Sequence, residues 1–120
     1  MSNYNALIER YFAVWNETDA ARRRDLIAQT WTEDAAYVDP LMEGAGHAGI
    51  DAMVGGVQAQ FPGHTFRLTS PIDAHHDRVR FAWELAPESG AALVKGTDFG
   101  VIVGGRLQSV TGFLDQVPQL

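Results

Sequence analysis

The hydrophobic pattern of this 120-residue chain changes period once, at Pro62-Gly63, and that switch limits the folds open to it. Upstream, Leu7, Ile8, Tyr11, Phe12, Val14 and Trp15 recur at i, i+3, i+4 and i+7. This spacing predicts an amphipathic helix from about Asn3 to Asn16, capped by Asn3 or Ser2. Thr18 is expected to cap a second helix, Asp19 to about Thr30, with Leu26, Ile27 and Trp31 on its core face. Residues 35–38 read as a short extended piece closed by Asp39-Pro40, because proline disfavours helix at the residue before it. The glycine-rich run 44–49 reads as a loop into a third helix, whose stripe is Ile50, Met53, Val54, Val57 and Phe61.

Downstream the period becomes two. Phe66, Leu68 and Ile72 alternate with polar residues, and Val79, Phe81, Trp83 and Leu85 alternate with Arg78, Arg80 and Glu84. Such alternation marks antiparallel strands with one buried face. Gly104-Gly105 is a two-residue hairpin signal joining the run 91–103 to a last strand, Arg106 to about Asp115. Helices followed by strands give an α+β domain over residues 1–120: three N-terminal helices packed on a strongly curved, mainly antiparallel sheet. Helices over a concave sheet leave a pocket between them.

Asp98 is the residue that fits this pattern least. It interrupts an apolar run, although aspartate is depleted from strands. Alternation puts Val94, Gly96, Asp98, Gly100 and Ile102 on one face and Lys95, Thr97, Phe99 and Val101 on the other. Lys95 prefers water, which turns Asp98 inward, where burial raises a carboxyl pKa and turns it into a hydrogen-bond donor. The competing reading is an exposed Asp98 paired with Lys95, Arg80 or Arg106.

Composition narrows the function classes. A net charge of −6 argues against nucleic acid, whose phosphates need clustered cations. The one basic run, Arg22-Arg23-Arg24, reads as a solvated helix face. The chain has no cysteine, which removes disulfide and thiol chemistry. No two of the four histidines have metal-ligand spacing on one element, so no metal site is expected. His75-His76 reads as an exposed turn, and His47 as a residue at the pocket mouth. Trp15, Trp31, Trp83 and Phe113 read as core. No signal-peptide pattern and no apolar run of membrane-spanning length is visible, so a cytoplasmic location away from membranes is expected.

Three segments resemble ketosteroid isomerases. Gln29-Thr30-Trp31-Thr32-Glu33-Asp34-Ala35-Ala36-Tyr37-Val38-Asp39-Pro40 is similar to their pattern of a helix-ending aromatic, an acidic pair, Ala and then Asp-Pro. Leu7-Ile8-Glu9-Arg10-Tyr11 looks like their first-helix stretch, and Gly96-Thr97-Asp98-Phe99, with its hairpin and Gly105-Arg106-Leu107, like their oxyanion-binding strand. The wider group is the nuclear transport factor 2-like superfamily, with its SnoaL-like polyketide cyclases, and the resemblance implies its cystatin-like α+β barrel, a cone closed at one end.

The resemblance implies Asp39 as general base, with Tyr11 and a neutral Asp98 as donors to an enolate oxygen. In a SnoaL-like cyclase Asp98 would be the main acid–base group. Trp31, Phe61, Trp83, Val110, Leu114 and His47 are the expected substrate contacts. Gly112 and Leu114 stand where the isomerases place an aromatic near the steroid, so a flat steroid is not the expected ligand. What is expected is cofactor-free isomerisation or cyclisation of a small, mostly apolar carbonyl compound. The alternative is a non-catalytic ligand-binding or dimerisation module of the same fold. A homodimer is expected to cover a convex face bearing Leu93, Phe99 and Val101.

Overall fold

Residues 3–118 are described by a computed structural model. Helix α1 spans Tyr4–Asn16 and α2 spans Ala20–Thr30. Strands β1 (Trp31–Val38) and β2 (Glu43–Ala45) precede helix α3 (Gly46–Gln60). Then come β3 (His64–Leu68), β4 (Asp73–His75), β5 (Arg78–Pro87), β6 (Val94–Val103) and β7 (Arg106–Gln116). The strands form one sheet in the order β2-β1-β7-β6-β5-β3, with β4 pairing the first residues of β5. Every pairing is antiparallel except that of β1 with β7. The α+β class and the three-helix, curved-sheet layout expected from the period switch are what the chain adopts.

Local chemistry explains the element ends. Asn3 caps α1, its Oδ1 accepting from the Ala6 N–H at 3.1 Å; Ser2 lies outside the described residues. Asp19, not Thr18, caps α2, its carboxylate accepting from the Arg22 N–H at 2.9 Å. A carboxylate also complements the positive helix N-terminus, which a threonine does not. Gly104 and Gly105 both have positive φ, 59° and 80°, as the hairpin between β6 and β7 requires. Register shifts between Lys95 and Gly96 and between Val101 and Ile102 mark bulges that bend β6 against β7.

Several boundaries differ from the sequence reading. Strand β1 begins at Trp31, so this tryptophan reaches the core from a strand and not from the helix face. The glycine-rich run is not a loop: Gly44 and Ala45 pair with β1 and Gly46 already starts α3. Leu68 is exposed, and Ile72 falls after the end of β3. Phe113 is on the outer face of β7, exposed and edge-to-face with Phe99, instead of in the core.

The arginine run also splits. Arg22 and Arg24 are solvated, but Arg23 is buried between α2 and α3. Its Nε donates to Asp51 at 2.6 Å, and its Nη1 reaches the Glu17 carbonyl at 3.1 Å and Gln58 at 2.9 Å. Gln58 Nε2 in turn donates to the carbonyls of Trp15 and Glu17. The network ties the C-terminal end of α1 to both other helices, satisfying carbonyls that α1 leaves unpaired. This fixes α3 over the open end of the sheet.

Candidate functional site

The cone is filled at one end and open at the other. On its inner face Gly100 opposes Val110 and Ile102 opposes Leu107, and these pack with Val79 and Phe81 into a solid apex. Toward the other end Val94, Leu85 and Leu114 line a cavity of about 810 Å³ beneath α3. Asp98 lies at the boundary, on the cavity floor, cross-strand from Gly112.

Asp98 is 2% exposed, and its two oxygens have different partners. Tyr11, from α1, donates to Oδ2 at 2.6 Å, and Trp83, from β5, donates its indole N–H to Oδ1 at 2.9 Å. Neither Lys95, Arg80 nor Arg106 pairs with it; Arg80 instead bonds Asp73, and Arg106 bonds the carbonyls of Ala28 and Trp31. Burial pushes the Asp98 carboxyl up to about 6, against the two hydrogen bonds that favour its ionised form. Tyr11 packs against Phe12, Trp31 and Phe81 with ring centroids 5.3–5.8 Å away. That burial, with the Asp98 charge beside it, holds the Tyr11 phenol well above its ordinary range, so it remains a donor.

Asp39 enters from the other side. Its Oδ1 accepts from the backbone N–H groups of Leu41 at 2.8 Å and Met42 at 3.1 Å, which makes it the pivot of the turn after β1. Its Oδ2 accepts from the Tyr37 hydroxyl at 2.7 Å. Tyr37 is two residues earlier on the same face of β1; burial first, then the Asp98 charge, raises its pKa. A turn residue and a cavity residue are therefore one and the same at position 39.

Gly112 brings the two carboxyl groups together. A Cβ at Gly112 would lie 2.9 Å from Asp98 Oδ1, 3.1 Å from Asp39 Cβ and 3.1 Å from the Tyr37 hydroxyl. The absent side chain lets the Tyr11–Asp98–Trp83 cluster and the Tyr37–Asp39 pair face a common point. Tyr11, Asp39, Asp98, Phe61, Trp83 and Leu114 all line the cavity.

Trp31, Val110 and His47 do not line it. Trp31 and Val110 belong to the packed core, Trp31 standing behind Tyr11, because an inward-facing residue near the apex meets other side chains and not the cavity. His47 places Nε2 2.9 Å from the Trp31 carbonyl and so fastens the start of α3 to β1. Tyr37 is the residue the sequence reading missed. Its signal was the period of two along β1, which puts it on the face of Asp39's approach to the cavity. Among the described residues no cluster of three His, Asp or Glu side chains has a metal-binding arrangement. None of the described helices is long and apolar enough to cross a membrane.

The family model for the SnoaL-like domain fits residues 8–110. The chain belongs to the SnoaL-like family. That places it in the nuclear transport factor 2-like superfamily. Among solved structures it is similar to a "putative isomerase of the SnoaL-like family" from Agrobacterium tumefaciens strain C58. The two are 42% identical over 93% of this chain and 97% of the other, with a TM-score of 0.88. A "putative ketosteroid isomerase" from Kribbella flavida DSM 17836 shares the fold at 21% identity, covering 96% and 79% of the two chains, with a TM-score of 0.70. A "putative polyketide cyclase" from Sinorhizobium meliloti shares it at 15% identity, covering 89% and 93%, also at 0.70. No curated protein matches the chain.

Proposed function

We propose that this SnoaL-like domain is an acid–base enzyme acting on a small, mostly apolar carbonyl compound, by double-bond isomerisation or by ring closure. The observation that carries this reading is Asp98: a nearly inaccessible carboxyl on the floor of an apolar cavity, hydrogen-bonded by Tyr11 and Trp83. In the reaction, Asp39 takes the proton next to the carbonyl and the charge moves to oxygen. Neutral Asp98 then donates toward that oxygen in a site whose aromatic walls exclude water. The Tyr11 hydroxyl, whose single proton otherwise lies on Asp98 Oδ2, turns to donate to it as well. Tyr37, by donating to Asp39 Oδ2, holds that carboxylate in place at the cavity wall. The residues themselves supply the proton transfers, and this scheme uses no cofactor.

The test is an ultraviolet assay for conversion of β,γ-unsaturated ketones to conjugated enones. Asp39→Asn is expected to lose ~10²–10⁴-fold in kcat, the usual contribution of a general base. Asp98→Leu is expected to lose ~10²–10³-fold, as for one oxyanion donor. Equal rates for both variants and the parent overturn the assignment.

We further read the protein as a cytoplasmic homodimer. Phe99 and Phe113 are 43% and 53% exposed on the outer sheet face, where they meet edge-to-face, an apolar surface that a second copy would cover. Light scattering at micromolar concentration should give twice the monomer mass, and Phe99→Glu should halve it. A monomeric parent protein refutes this part of the reading.

A further inference from the structure

Four aromatic rings of the cavity lining follow one another as a wall: Tyr37, Trp15, Phe66 and Trp83. Their centroids are 5.5, 5.0 and 5.2 Å apart in that order, and successive planes turn by 64°, 50° and 62°. Tyr37 and Trp15, and likewise Phe66 and Trp83, meet edge-to-face, while Trp15 and Phe66 are tilted. The wall ends on a carboxyl group at both sides, since Tyr37 donates to Asp39 and Trp83 donates to Asp98. A third carboxylate, Glu43, stands at the exposed rim. Among the described residues, no Lys, Arg or His lines the cavity.

We infer that the cavity selects organic cations, substituted ammonium groups above all, and rejects anions. Ring faces carry negative electrostatic potential and attract a cation within about 6 Å of their centroids. An alkylated ammonium suits such a wall because it is weakly hydrated and brings few or no N–H groups that need acceptors inside. The Asp39 carboxylate at one end of the wall adds attraction of the same sign, Asp98 at the other end does so in its ionised form, and a ligand carboxylate or phosphate meets no compensating charge. This selection stands apart from the proposed reaction: the rings and carboxyls attract a cation whether or not Asp39 moves a proton.

Three compounds of nearly equal shape test it by calorimetry: choline, 3,3-dimethylbutan-1-ol and 3,3-dimethylbutanoate. None is a substrate for the proposed reaction, so a failed isomerase assay and a failed binding experiment remain separate results. Choline should bind on the order of 10-fold more tightly than the neutral alcohol, and the carboxylate more weakly than both. Equal affinities, tighter binding of the alcohol or carboxylate, or no choline binding at millimolar concentration overturn the inference. Phe66 is half-buried, so Phe66→Leu leaves the deep core intact. In that variant choline affinity should fall severalfold with the alcohol's unchanged; an equal loss for both overturns the role of the ring wall.

Discussion

The burial of Asp98 makes the folded state less stable as pH rises, and replacing it with asparagine should remove that dependence. An unfolded aspartate titrates near ~3.9, whereas burial holds Asp98 at about 6 in the folded chain. Below pH 4 the group is protonated in both states and contributes no difference. Between the two values the folded state binds more protons than the unfolded one, so stability falls as pH rises. Above the folded value both states are ionised and the full difference, about 3 kcal/mol, opposes folding. Asp34, whose carboxyl is held below the usual carboxylate range by hydrogen bonds from Thr32 and Gln108, changes stability in the opposite sense, so the parent curve alone does not isolate Asp98. The comparison with Asp98→Asn does. The asparagine Oδ1 still accepts from Trp83 and its amide donates to Tyr11, which leaves the Tyr11 hydroxyl without its acceptor. That loss costs about 1–3 kcal/mol at every pH and shifts the curve without tilting it. Urea unfolding followed by tryptophan fluorescence from pH 4 to pH 8 gives both curves. The stability of the parent relative to the variant should drop by about 2.5 kcal/mol across that range, most of it before pH 7. Curves parallel within ~0.5 kcal/mol, or a difference that grows with pH, would refute the placement of an isolated buried acid at position 98.

The same titration should appear in catalysis: kcat/KM for enone formation should decline as pH rises through about 6, where neutral Asp98 is lost as a donor. Asp98→Asn, which cannot ionise, should lack this limb. Gly112→Ala puts a methyl group 2.9 Å from Asp98 Oδ1 and should cost about 1–3 kcal/mol in thermal unfolding as the site spreads; an unchanged melting temperature with full activity counts against the convergence of the two carboxyl groups. Arg23→Ala strands the partly buried Asp51 and unties α2 from α3 and from the end of α1, with an expected loss of about 3 kcal/mol in urea denaturation. A change under ~0.5 kcal/mol would mark Arg23 as a surface residue.

How much of this was legible in the sequence depended on whether a pattern reports direction or depth. Alternation along residues 94–102 reports direction, and it turned Asp98 inward correctly, with Phe99 outward. It does not report depth. Val110 and Trp31 face inward as Asp98 does, but one cone holds a packed apex and an open cavity, and only the three-dimensional taper separates them. Arg23 was misread because three consecutive arginines look like a solvated run. Yet Arg23, Ile27 and Thr30 are spaced i, i+4, i+7 and share the buried face of α2. Its partners Asp51 and Gln58 lie on another helix, which no local pattern could announce. Tyr37 was within reach, since it stands two residues before Asp39 in an extended segment, but the glutamate and aspartate before it drew the reading toward an acidic pair.

The glycines of the sheet explain why an acid can occupy a strand interior at all. A Cβ at Gly96 would clash with the Trp83 ring, so only glycine there lets the indole lie across β6 and reach Asp98. Gly112, directly opposite Asp98, leaves the corresponding space on β7 for Asp39 and Tyr37. A buried carboxyl in a strand is costly when its neighbours fill the pleat and leave its oxygens unpaired. Here the neighbours on both sides are reduced to hydrogen, and donors arrive from a helix and an adjacent strand. Glycine weakens a strand interior by removing packing and adding chain entropy, yet Gly96, Gly100 and Gly112 surround this one acid on the concave face. Stability alone would favour larger residues there. Gly96 and Gly112 are intelligible as the space that the polar groups at the cavity floor need in order to meet, and Gly100 as the space that Leu107 and Val79 take up behind them.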